Sequence, residues 1–289
     1  MLKAVLYWIV MLVAALAVGP AAGSLIGSLR AADGSGHVTP LTSDSPAIGL
    51  VAGIGALLIA VLAGILAARL LGTRAALTVS GLIVAWVAFR SGMPDELIRR
   101  TQEARLVWPF SIEGAVFGLL GVGGLWAVLR FGDAKPADPL HAGQGMKAIV
   151  AGALAAVPVG GVIAYLVAFE TLKLQTIFAA SFAGIGAGAA ASLAGSALQV
   201  DRSSHARAAI GAFAGLAVLA AVGPATAYVV NSRSGALLAS AYNGSYFPLA
   251  APLAFDWIAG AFLGVPIGIG WSASMLDKRQ PGSQDARTA

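Results

Sequence analysis

The chain has 289 residues, 58% of them hydrophobic and only 11% charged, and its mean hydropathy is +0.84. Soluble domains carry about 25% charged residues, and a soluble core has no place for this much apolar surface, whereas lipid does. The net charge of +5 comes from 18 basic residues scattered between apolar runs, with no basic patch interleaved with aromatics, which argues against nucleic acid as a partner. Cysteine is absent, so disulfides, thiolate metal sites and cysteine nucleophiles are excluded.

In chain order, residues 2–22 form the first apolar run, preceded by Lys3 and closing near Gly19-Pro20. A basic start and small residues at Ala21-Ala22-Gly23 also fit a cleaved secretory signal. Apolar character continuing through Leu25, Ile26 and Leu29 favours a retained helix. A polar loop follows over 30–46. Apolar runs at 47–68 and 75–90 predict the second and third helices, joined by a short turn. The stretch 94–108 reads as a short amphipathic helix lying at the interface, with Trp108 as its aromatic anchor. Pro94, Asp95 and Glu96 suit its first turn, and Asp95 with Arg99 and Glu96 with Arg100 are acid-before-base pairs at i,i+4.

Further spans are expected at 111–130, 147–169, 176–198, 208–230 and 256–276, with a long loop at 231–255 and a flexible tail at 277–289. In the run 176–198, 16 of 23 residues are Gly, Ala or Ser. At 1.5 Å per residue it gives about 34 Å of helix, enough for a bilayer core of about 30 Å. Its smallest residues recur every fourth position through Ala180, Gly184, Gly188, Ser192 and Ser196, so one face admits another backbone closely. Gly260 and Gly264 continue such a ladder to Gly268 and Ser272, and Gly114 with Gly118 form a shorter one.

The fold expected is therefore an all-α integral membrane protein of about eight transmembrane helices, in a plasma or inner membrane. With an even number of spans both termini face one side. Cytoplasmic termini put 11 Lys and Arg inside and seven outside, as the positive-inside rule favours. The string Ala-Gly-Ile-Gly-Ala occurs at 52–56 and again at 183–187, inside a four-step ladder of small residues kept under the same shift. Arg74-Ala75-Ala76-Leu77 opens the third span as Arg207-Ala208-Ala209-Ile210 opens the seventh. These matches predict two tandem four-helix halves, 1–146 and 147–276, in parallel orientation about an axis along the membrane normal.

Chemistry is sparse. No ionisable residue falls at mid-depth of a span. Glu113 and Asp256 stand near the starts of the fourth and eighth spans, where the helix dipole alone would favour an acid. His37, His141 and His205 are far apart, and no hydrolase, phosphate-loop or metal motif is present, so no catalytic, cofactor or metal residue is named. Pro158 with Gly160 and Gly161, Pro224, and Pro266 interrupt apolar runs, and the carbonyls they free could line a solute path together with Glu113 and Asp256. The function expected is a permease or channel-like protein for a small solute. A non-transporting membrane subunit or scaffold is the alternative, and the partners expected are the lipid bilayer and a second copy or a membrane protein.

Overall fold

The computed structural model describes residues 2–132, 143–197, 204–231 and 234–277. Within them there is no strand, and eight helices are long and apolar enough to cross a membrane. The spanning helices are α1 (Lys3–Gly27), α2 (Pro46–Leu71), α3 (Thr73–Arg90), α5 (Val107–Gly132), α6 (Gly143–Val167), α7 (Lys173–Ala197), α8 (Ser204–Asn231) and α10 (Ala254–Asp277). Two short helices, α4 (Pro94–Thr101) and α9 (Ser234–Tyr242), lie between them. Asp133, Lys135, Asp138, His141, and the tail from Lys278 lie outside the described residues.

The first span runs past Pro20 to Gly27, further than its apolar run predicts. Proline lacks an N–H and its ring crowds the preceding turn. The helix absorbs this by widening into a π segment at Ala14–Val18, where the Gly19 amide reaches back to the Ala14 carbonyl. The Ala15 carbonyl is thereby released from the helix and accepts the Trp86 indole N–H of α3 at 2.7 Å. Between α2 and α3 the turn is a single residue, Gly72, at φ +93°, a conformation that glycine adopts without steric cost.

The amphipathic stretch differs from expectation. Its helix ends at Thr101, and Val107 already opens α5, so Trp108 belongs to a spanning helix and packs on Tyr228 of α8 at 5.9 Å. The i,i+4 pairs form, Arg99 to Asp95 at 2.8 Å and Arg100 to Glu96 at 2.6 Å. Yet Leu97 and Ile98 are buried in protein rather than laid on lipid. The reason is the neighbouring loop: Arg100 donates to the Ser35 hydroxyl at 2.6 Å and to the Gly36 carbonyl at 3.1 Å, drawing residues 30–45 over α4. The long loop at 231–255 likewise folds into α9 and a 3₁₀ turn at Pro248–Ala250. Together these pieces cover one end of the bundle, the loop face; the opposite end, where α1 begins and α10 ends, is the terminal face.

Packing within the bundle is as follows. Helix α1 lies against α2 and α3, α2 against α3 and α5, and α3 against α5. Helix α6 lies against α7 and α8, α7 against α8 and α10, and α8 against α10. Across the middle, α5 meets α8, α3 meets α10, and α5 meets α10. Helices α7 and α10 approach backbone to backbone: a methyl on Gly184 would stand 2.5 Å from the Gly260 carbonyl oxygen, and one on Gly188 at 2.5 Å from that of Val265. Small residues permit that contact, and in lipid such close packing rather than hydrophobic exclusion holds helices together. Gly114 and Gly118 face a different neighbour, Ala220 and Ala217 of α8, while α5 presents Phe117 to Gly53 of α2. The two glycine ladders are therefore spent on different helices.

Candidate functional site

The spanning helices bury two carboxylates at the loop face, where the sequence places acids merely near helix starts. Glu113 is 2% exposed and Asp256 0%. Glu113 lies in the second turn of α5 and accepts from the Thr39 hydroxyl at 2.7 Å and from the Leu41 amide. The donors are the capping residue and the second residue of the 3₁₀ turn Pro40–Thr42 that leads into α2, so the carboxylate pins that loop to α5. Asp256 occupies the third position of α10 and accepts the Leu253 amide at 2.8 Å, half of a capping box. Its same oxygen, Oδ2, receives Lys173 Nζ at 3.2 Å. Lys173, 8% exposed, is the first residue of α7.

These groups form one cluster. Phe117, a turn below Glu113, packs on Phe255, the neighbour of Asp256, with ring centroids 4.8 Å apart. Two carboxyl groups and one ammonium are thus buried at the loop-face ends of α5, α10 and α7, with α10 in contact with both of the others. A buried ion pair is costly and is weak evidence of stability alone, and ionisable groups kept inside a membrane bundle are a default pointer to function.

The remaining candidate path residues are not brought to this cluster. Pro158 is exposed on the outer face of α6, while Gly160 and Gly161 face Leu219 of α8. Pro224 is buried, next to Gly223, which packs under Leu249. Pro266 lies toward the terminal face and borders two clefts, one of about 780 Å³ with Tyr7, Arg74 and Trp271, the other of about 460 Å³ with Thr73 and His205. Where α5, α8 and α10 meet, Gly118, Phe213, Leu216 and Trp257 line a space of about 10 Å³, room for one water at most.

Lys173 is the residue that sequence reasoning missed. It sits in what reads as a polar turn before α7, and its burial comes from α10 and the loops, which no local pattern encodes. The usable signal is a lysine opening a long, otherwise uncharged helix. Among the described residues, no group of three His, Asp or Glu is placed to hold a metal ion. Compared with protein-family models, with curated proteins and with solved structures, the chain matches none.

Proposed function

We propose that the protein is a permease or channel-like protein that passes a small solute between two related four-helix halves, α1–α5 and α6–α10. The observation that carries this reading is the buried Glu113–Lys173–Asp256 cluster at the loop-face junction of those halves. The contact scheme supports it. Within each half, the first spanning helix touches the second and third, the second touches the third and fourth, and the third touches the fourth. Across the junction, the third helix of each half meets the fourth of the other. This is the pattern expected of parallel repeats about an axis along the membrane normal. Each buried acid also lies on the fourth helix of its half and bonds the segment that opens the second. Clefts at both ends, with only about 10 Å³ of space where α5, α8 and α10 meet, fit a closed conformation of such a protein.

On this reading the termini are cytoplasmic, and a single cysteine at Gly34 reacts with an impermeant thiol reagent from outside. The function is tested in proteoliposomes. Stopped-flow swelling with urea and glycerol, and uptake of radiolabelled ethanolamine, are expected to give saturable or facilitated flux with at least one solute. None above empty liposomes would overturn the reading. The close contact of Gly114 and Gly118 with α8 equally favours a second reading, a non-transporting subunit that docks a membrane partner or a second copy; a stoichiometric partner on purification, with no flux, supports that one.

A further inference from the structure

A third cleft opens on the loop face, about 310 Å³ in volume, bounded by Asp95, Phe169, Glu170, Leu172, Gly244 and Tyr246. That lies at the small end of ligand pockets. Two of its polar atoms have no hydrogen-bond partner among the described residues. Tyr246 is 6% exposed, yet its hydroxyl has no hydrogen-bond partner among the described residues. Asp95 gives Oδ2 to Arg99 at 2.8 Å, and its Oδ1 is buried without a partner. A buried hydroxyl or carboxylate oxygen left unpaired is destabilising, and such atoms are rare in folded proteins. Burial, and next the Asp95 carboxylate nearby, push the Tyr246 hydroxyl's ionisation upward, so it remains a neutral O–H.

The charges around the cleft have one sign in excess. Asp95 and Glu170 are acidic, Arg99 answers one of them, and Lys173 below is engaged by Asp256. Phe169 and Tyr246 add aromatic surface. Unpaired acceptors, an excess negative charge and aromatic walls are what a small ammonium group seeks: it donates up to three hydrogen bonds and is drawn to ring faces. We propose that this cleft is a binding site for a small organic ammonium compound, held by Asp95 and Tyr246 with Glu170 at its rim. The site stands independently of whether the protein transports, because binding is read on the purified protein.

The test uses the full-length protein in detergent, with ethanolamine and methylammonium as probes and sodium and acetate as comparisons. Isothermal titration and thermal unfolding are expected to show saturable binding of an ammonium probe at one site, with a raised melting temperature. Tyr246→Phe is the sharper variant. If the hydroxyl has no ligand, its removal leaves binding unchanged. If it serves the site, affinity falls about five- to tenfold while the unliganded protein is as stable as before or more so. Asp95→Asn is expected to weaken binding further, and Glu170→Gln less. The proposal is overturned if no ammonium probe binds, if sodium or acetate binds equally well, or if the Tyr246→Phe protein binds with unchanged affinity.

Discussion

The corner around Glu113 and the corner around Asp256 do the same job with different chemistry. In each, an acid on the fourth helix of its group grips the segment that opens the second. Glu113 is answered by neutral donors alone, a hydroxyl and an amide. Asp256 is answered by an amide and a buried ammonium. The packing beneath differs too. Under Asp256, α7 and α10 touch backbone to backbone through Gly184, Gly188, Gly260 and Gly264; under Glu113, a phenylalanine ring fills the gap over Gly53. A corner held by an ion pair thus stands opposite one held by neutral donors, and a backbone-on-backbone seam stands opposite one filled by the buried Phe117 ring.

The largest expected effect breaks the charged corner. Lys173→Met strands the Asp256 carboxylate in a buried site, and removing one partner of a buried pair costs about 3–5 kcal/mol. Thermal unfolding in detergent should show a drop of many degrees, and Lys173→Met with Asp256→Leu should recover much of it. If the single Lys173→Met change is harmless, the pair is not buried as described. Glu113→Gln is expected to cost less, about 1.5–3 kcal/mol, because the amide oxygen still accepts from Thr39 and Leu41 and no opposite charge is orphaned. A larger loss at Glu113 than at Lys173 would invert the comparison.

The seams sharpen it at smaller scale. An added methyl at Gly184 meets the Gly260 backbone, which cannot step aside, whereas at Gly53 it meets the outer edge of the Phe117 ring. Gly184→Ala should therefore cost at the upper end of the roughly 1–3 kcal/mol typical of overpacking, and Gly53→Ala at the lower end. Equal melting temperatures for the two variants would contradict the distinction between a backbone seam and a ring-filled one. The smallest effect concerns the loop that Glu113 pins. The Ser35 hydroxyl and amide hold the Asp33 carboxyl below its usual range. A depressed carboxylate contributes stability that is present above its unfolded value and lost as pH falls through the folded one. Since Asp33 is fully exposed, hydrogen exchange at the Ser35 amide should quicken only slightly below about pH 4, and Asp33→Asn should remove that dependence.

The helices were legible because apolar length is a local property: runs such as 47–68 and 208–230 map onto α2 and α8 within a few residues. Trp108 was misplaced because a charged stretch obscures where the next helix begins, and Val107 has no capping residue before it. The burial of Glu113 and Asp256 was not legible, since it is conferred by Thr39, Leu41 and Lys173, all distant in the chain. The unpaired Tyr246 hydroxyl was equally out of reach, because an atom without a partner leaves no pattern in a sequence.

The central claim, that a path opens between the two halves, is tested most directly by locking them. The chain has no cysteine, so Gly118→Cys on α5 and Ala217→Cys on α8 introduce a single pair. A methyl at Gly118 would lie 2.8 Å from the Ala217 Cβ, and a small outward shift brings the two to the roughly 3.8 Å of a disulfide. In proteoliposomes, solute flux through the reduced pair should match that of the single variants. Oxidation should abolish it, and dithiothreitol should restore it. Undiminished flux with the cross-link formed would contradict the account.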